Sequence, residues 1–426
     1  MKICMLTWEF PPRIVGGIAR HCLGLSKALA KRNHEVHVVT LEFPGTPLFE
    51  DVEGVKLHRV KIELGHPNFI IWTFIFNHFM EKNVALINRD VEFNVIHIHD
   101  WLTAPVGIAS KHYLNKPLVS TVHSTEIGRA QGLHSPDSYL IDGVEWWMTY
   151  EAEKVISCSG SMKWELEHHF NLPPEKVIVI PNAVDTSKYE RKINREDVKR
   201  RYGIEPYERV VLFIGRLVPQ KGVEYLVKAI PLILQQHRNV KFVIAGDGWS
   251  KNYLEGLART TGSGGKIRFL GFVSDSDLTE ITMSADVLVV PSIYEPFGIA
   301  QIEPLTFGGI CVFSSVCGCS GFVKDITGDE DIRNVIVADY TNLDAHADSD
   351  IQDLLQIDRT VRDHIEAGQS ERVAMQICSR LPKNEAEMET MTRTGYELAR
   401  NMSWDVVVRD YLLGSLEKIP CQVTVS

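Results

Sequence analysis

The chain has 426 residues, 44% of them hydrophobic, with a formal net charge of −10. That is enough apolar material for two cores of ordinary domain size. The acidic balance argues against a nucleic-acid backbone or an acidic membrane surface as a general partner.

Taken in chain order, residues 2–21 (KICMLTWEFPPRIVGGIARH) predict a strand, a proline-containing loop and an amphipathic helix opened by Gly16 and Gly17. Two adjacent glycines let a ligand phosphate approach the backbone. They also suit a plain strand-to-helix turn, and no Gly-x-Gly-x-x-Gly dinucleotide fingerprint accompanies them. The start enters a strand without the charged and apolar regions of a secretory signal, which points to the cytoplasm. The apolar run FIIWTFIFNHFM (69–80) is too short to span a bilayer and predicts a core helix, a membrane-touching helix being the alternative.

Short apolar strands at 35–40, 95–98, 118–122 and 177–180 alternate with helical patterns, the signature of a parallel sheet covered by helices. A charged stretch at 188–203 then places a domain boundary near residue 190. A second series follows with VVLFI, VKFVIAG, KIRFLGF, VLVVPS and ICVFSS. Two similar halves are implied.

In the second half, RVVLFIGRLVPQKG (209–222) reads as a strand, a loop carrying Arg216 and Lys221, and a helix starting near Gly222. Alone, this is a basic turn. Two cations beside a helix amino end also suit a diphosphate: the helix supplies amides, Arg216 binds two oxygens and Lys221 acts as a point charge. Next, LVVPS (288–292) reads as a buried strand and EPFGIAQIE (295–303) as a Phe-Gly turn opening a helix. Glu295 thus belongs at the carboxyl end of a strand, where open α/β sheets bind ligands. The amides of Phe297, Gly298 and Ile299 form a cradle at the new helix, and Glu303 lies one to two turns deeper. Eight residues of helix span about 12 Å, too far for a glycosidase acid and base pair. Each carboxylate could instead hold a different diol of one elongated ligand, or could be only a helix cap and a solvated face residue.

Three Asp-x-Asp triplets, at Asp275/Asp277, Asp329/Asp331 and Asp348/Asp350, raise metal binding. The first is explained by helix capping and the others lie in a polar acidic stretch. The eight cysteines form no Cys-x-x-Cys pair, and Cys311, Cys317 and Cys319 read as reduced buried thiols. From Ser403, WDVVVRDYLLGSL has helical spacing.

The segments WEFPPRIVGGIARH, IHIHDW, STVHS, GVEWWMTYEAEKVISCS, IPNAVD, GRLVPQKG, EPFGIAQIE and MSW span nearly the whole chain. Together they resemble the retaining glycosyltransferases of family 4 and their starch and glycogen synthase relatives. The resemblance implies an α/β GT-B architecture of two facing Rossmann-like domains: 1–190 on the acceptor side, 191–402 on the nucleotide-sugar side, and 403–426 returning to the first domain. It implies transfer of a hexose, with glucose as the expected one, from a nucleotide sugar such as ADP-glucose or UDP-glucose to a glucan or other neutral hydroxyl acceptor.

Residue by residue, the resemblance gives the donor diphosphate to Arg216 and Lys221, with amides from Gly16 and Gly17. It gives the ribose hydroxyls to Glu303, and the hexose 3- and 4-hydroxyls to Glu295 with the amides of Phe297, Gly298 and Ile299. His123 faces the sugar near the reacting carbon and Asp100 borders the acceptor. As local readings, a buried histidine and a helix N-cap remain open for these two. No metal or other cofactor is implied, because the two cations and the helix end neutralise the leaving diphosphate.

Three departures stand out. The lysine usual two residues before the glycine pair is missing, Ile14 or Val15 standing there. Pro304 follows the second glutamate, and SSVCGCSGFVKD (314–325) replaces a Gly-Gly turn. A GT-B epimerase or phosphorylase, or a non-catalytic sugar-binding protein, is the alternative. The first two lack placeable acid-base or pyridoxal-phosphate lysine groups, and the third leaves a filled set of donor positions without a use.

Overall fold

A computed structural model describes residues 1–65, 67–186, 193–307, 311–314, 317–319, 335–338 and 359–416. Asp329, Asp331, Asp348 and Asp350, with most of 314–325, lie outside these residues. The chain divides into two compact units, residues 1–183 with 402–426, and residues 184–401.

The first unit is built on an eight-stranded sheet. Its strands are β1 (Lys2–Leu6), β2 (Glu35–Leu41), β3 (Phe49–Val52), β4 (Val55–Val60), β5 (Val95–His99), β6 (Leu118–Val122), β7 (Lys154–Ser157) and β8 (Val177–Val179), in the order β3-β4-β2-β1-β5-β6-β7-β8. Only β3 runs antiparallel, pairing with β4 through the Glu53-Gly54 turn. The central strands are buried on both faces, which is why they read as continuous apolar runs rather than as alternating patterns.

The helix Gly17–Ala30 lays Cys22, Leu25, Ala28 and Leu29 on this sheet. Residues after Met402 pack on the same helix: a Cβ at Gly24 would lie 1.9 Å from Nε1 of Trp404, so only a glycine admits that indole. The run 69–80 begins a 23-residue helix, Phe69–Val91, with Ile70, Phe76, Met80 and Val84 buried and Phe69, Ile71 and Phe74 exposed. No helix among the described residues is long and apolar enough to cross a membrane.

The second unit carries a parallel sheet of β9 (Arg209–Ile214), β10 (Val240–Ala245), β11 (Ile267–Gly271), β12 (Val287–Val290), β13 (Cys311–Ser314) and β14 (Val335–Ala338). Its order is β11-β10-β9-β12-β13-β14, the doubly wound arrangement of a Rossmann fold. The chain winds outward from β9 through β10 to β11, then crosses to β12 on the other side of β9. The sheet therefore has its topological switch between β9 and β12, where the connections diverge and leave a crevice at the strand ends.

The helix Val223–Gln236 shows how the core is specified. Val223, Leu226, Val227, Ile230 and Ile233 repeat at three- and four-residue intervals and are buried against β9 and β10. Each such side chain contributes about 1.5–3 kcal/mol when removed from water. The described helices Arg359–Arg380 and Glu385–Asn401 close this unit, adding Val373, Ile377 and Met391 to the core.

Ser274 caps the helix Asp275–Ser284 by accepting from the Asp277 amide at 3.2 Å. Cys4, Cys22, Cys158, Cys317 and Cys319 are buried thiols.

Candidate active site

In the second unit the loops leaving β9 and β12 meet at the switch point. Gly222 permits the meeting. Its φ is +63° and an added Cβ would lie 1.8 Å from the carbonyl oxygen of Pro291, so no side chain fits. The amide of Ile293 donates to the Gln220 carbonyl at 2.9 Å, and the Gln220 side chain donates to the Tyr294 carbonyl at 3.2 Å.

These bonds bring the Lys221 ammonium to 2.5 Å from Oε2 of Glu295, with both side chains largely buried. Ser292 Oγ and Gln301 Nε2 donate to the same oxygen at 3.2 and 3.4 Å. All three recorded contacts fall on Oε2. Among the described residues, Oε1 has no recorded partner, so Glu295 is fixed in orientation with one oxygen available as an acceptor. Arg216 lies on the same loop, exposed, and makes no recorded ion pair with a described residue.

Glu295 is held on its backbone as well. It forms a parallel bridge with Cys317 and accepts the Gly318 amide at 2.9 Å, while Phe297 accepts the Cys319 amide at 2.9 Å. Gly298, at φ +93°, turns the chain into the helix Ile299–Ile302, and a Cβ there would lie 2.2 Å from Gln301 Oε1. At Glu303 the helix tightens into the 3-10 turn Glu303–Phe307, of which Pro304 is the second residue. The proline therefore falls at a change of hydrogen-bonding pattern rather than within a long α-helix, where its cost would be about 3 kcal/mol. Glu303 is half-buried.

In the first unit a second polar group collects at the ends of β1, β5 and β6. Glu9 is buried and its Oε2 accepts the amides of Val15 and Gly16 at 2.5 and 3.0 Å. The Gly16 amide, expected from the resemblance to serve a donor, is engaged within its own loop in this structure. Gly17 is the first residue of the following helix. Burial pushes the Glu9 carboxyl up, against the opposing pull of the Val15, Gly16 and Ala19 amides.

Asp100 follows β5 at φ +57° and makes no side-chain cap to the 3-10 turn Trp101–Thr103. Its Oδ1 instead accepts the His123 amide at 2.6 Å. Burial raises its carboxyl to about 6, with the His123 and Ser124 amides and the Arg129 charge acting against that rise.

His123, at the end of β6, is half-buried, and its Nε2 lies 3.1 Å from Nδ1 of His99. His21 joins them, its ring centroid 4.6 Å from that of His123 and 5.2 Å from that of His99. Nδ1 of His21 is 2.7 Å from Oδ1 of Asn182. Burial and neighbouring imidazoles lower His123 to about 3 and hold His21 and His99 well below the ordinary histidine range. Near neutral pH these rings are uncharged, suited to exchanging hydrogen bonds with hydroxyls rather than to supplying a cation.

Behind them Arg129 bridges Glu126 at 2.7 Å and Glu145 at 3.4 Å. Glu145 is buried and its Oε2 accepts the Glu126 amide at 2.8 Å.

The geometry thus joins Lys221 to Glu295, and Asp100 to His123. It adds Glu9, His21, His99, Arg129, Glu145 and Asn182, which motif spacing alone does not single out. Their common signal is polarity in segments that otherwise read as core: His99 immediately precedes Asp100, and Glu145 lies on a helix face that is buried.

The paired cation and carboxylate lie at the switch point of a doubly wound sheet, where such sheets take ligands. Residues 15–188 match Glycosyltransferase Family 4 and residues 194–370 match Glycosyl transferases group 1. The chain is 44% identical over 327 residues to the uncharacterized glycosyltransferase MJ1607 of Methanocaldococcus jannaschii, covering 76% of this chain and 83% of that protein. It is 32% identical over 334 residues to the glycogen synthase of Mycobacterium tuberculosis H37Rv, covering 75% and 79%. The solved structure of Anabaena Alr3699/HepE in complex with UDP and glucose superposes with a TM-score of 0.71 at 17% identity, covering 98% of this chain and 99% of that one.

The chain belongs to this glycosyltransferase family, and its fold is the GT-B type with two Rossmann-like domains.

Proposed function

We propose that this glycosyltransferase is a retaining hexosyltransferase that moves glucose from a nucleoside diphosphate sugar to a hydroxyl of a glucan. The observation that carries the reading is the Lys221–Glu295 pair at the switch point, with Arg216 exposed on the same loop. The likeness to a glycogen synthase and to a protein solved with UDP and glucose supports both the donor class and the acceptor class.

Arg216 and Lys221 neutralise the charge that grows on the departing diphosphate. This preorganised electrostatic effect is commonly the largest single contribution at such sites. Glu295, steadied through Oε2, offers Oε1 to the 3- and 4-hydroxyls of the transferred sugar, beside the Phe297, Gly298 and Ile299 amides. Glu303 takes the ribose diol. In the first unit, His123 serves the sugar near the reacting carbon and Asp100 the acceptor, with Gly17 as a further source of an amide. No protein nucleophile is assigned. The leaving phosphate and incoming hydroxyl share one face of the sugar, which retains the α-configuration, and no metal or other cofactor is required for turnover.

The two glutamates separate kinetically. Glu303→Ala raises the donor KM more than it lowers kcat, because a ribose contact is similar in ground and transition states. Glu295→Ala lowers kcat itself. Steady-state kinetics with varied donor check this, and the reverse pattern would exchange the two assignments.

A further inference from the structure

The histidines of the first unit have a property that the transfer reaction does not use. His21 points Nδ1 at the Asn182 carbonyl oxygen, so Nδ1 carries the proton and Nε2 presents a lone pair. That Nε2 is buried and has no hydrogen-bond partner, and the same is true of Nε2 of His99. An unsatisfied buried polar atom costs about 1–3 kcal/mol. A metal ion on Nε2 of His21 would satisfy that atom, whereas His99 faces His123 through its Nδ1, so its own Nε2 is not explained in this way. One ring nitrogen from each of His21, His99 and His123 lies within 4.8 Å of the other two. The pair formed by His99 Nδ1 and His123 Nε2 is 3.1 Å apart, close to the edge of about 3.3 Å that a tetrahedron with zinc–nitrogen bonds of 2.0–2.1 Å requires.

We infer that His21, His99 and His123 form a three-imidazole site for a borderline transition-metal dication of the zinc class. His21 binds through Nε2, and His99 and His123 through one nitrogen each. Small ring rotations draw the three nitrogens together, and a water or a ligand hydroxyl fills the fourth position. Asn182 acts on the metal only through His21, fixing the tautomer and ring orientation as carbonyl partners of metal-bound histidines do. The half-buried edge of His123 provides the way in.

Three elements that are distant in sequence converge here: the helix Gly17–Ala30, the end of β5 and the end of β6. The site is not a requirement for turnover. Because it engages His123, its occupancy withholds that ring from substrate, and the ion acts as an inhibitor. This consequence rests on the proposed role of His123, whereas metal binding itself does not.

The test uses the full chain stripped of metal with a chelator. Zn2+ is titrated by calorimetry, and Co2+ is followed by its visible d–d absorption. The expected result is one ion per chain and a tetrahedral Co2+ spectrum, with affinity falling at least 10-fold in His21→Gln and about 10- to 100-fold in Asn182→Ala. His112→Gln, outside the cluster, should leave the affinity unchanged. Circular dichroism establishes that each variant is folded, and Asn182→Ala carries the test if His21→Gln is not. Sub-stoichiometric binding, or equal affinity in all variants, overturns the site. Stoichiometric binding that leaves transferase activity untouched upholds the site and counts against the role given to His123.

Discussion

Lys221→Ala lowers kcat by about 10²- to 10³-fold while the protein stays folded, a loss of about 3–4 kcal/mol of transition-state stabilisation. Among the described residues, the Lys221 ammonium bonds to Glu295 alone. Removing it withdraws a charge from the leaving diphosphate and also releases the carboxylate that it orients.

Two linked losses follow from one substitution, so the pair is non-additive. Glu295→Gln in the Lys221→Ala background costs clearly less than it does alone, as expected for groups in direct contact. Arg216→Ala lowers kcat in the same direction, but with no such coupling to Glu295, since Arg216 makes no recorded pair with it. A double-mutant cycle read by kcat/KM checks all three statements. Additive losses for Lys221 and Glu295 would mean that their contact is incidental.

Gly222→Val is expected to destabilise the protein by about 2–5 kcal/mol, from a left-handed backbone that a β-branched residue resists and from forced displacement of packed backbone. The obstacle is the Pro291 carbonyl, 1.8 Å from the added Cβ, and not the mobile end of a side chain. The same substitution separates the loops that carry Lys221 and Glu295, so donor affinity falls together with Tm. Gly143→Ala is the matched control: its Cβ meets nothing within 4 Å, and it lies in the helix Pro136–Glu151, where alanine is preferred to glycine. Thermal denaturation and nucleotide binding by calorimetry read both effects. Wild-type Tm and affinity in Gly222→Val would contradict the packing described for the two loops.

Much of this is legible in the sequence. Fully apolar runs such as VVLFI mark parallel strands because both faces of each are covered, and Gly222 and Gly298 mark sharp entries into helices. What spacing could not disclose was pairing across the switch point. Lys221 and Glu295 lie 74 residues apart in the chain, and only the adjacency of β9 and β12 brings them together. Read singly, one goes to a phosphate and the other to a sugar.

The Glu9 carboxylate was equally hidden. A carboxylate that satisfies the amides of its own loop has no periodic signature, and its neighbours Trp8 and Phe10 draw attention to packing instead. The hairpin of β3 and β4 escaped because Phe49–Val52 is short and exposed, with little apolar alternation to read.

The most direct measurement supplies the purified chain with ADP-, UDP- and GDP-glucose in turn, with and without glycogen or maltooligosaccharide, and follows nucleotide release and the anomeric signal of the product by NMR. The expected result is acceptor-dependent release from at least one donor and a newly formed α-linked glucose. A β-linked product, or nucleotide release that no glucan accelerates with any of the three donors, would contradict it.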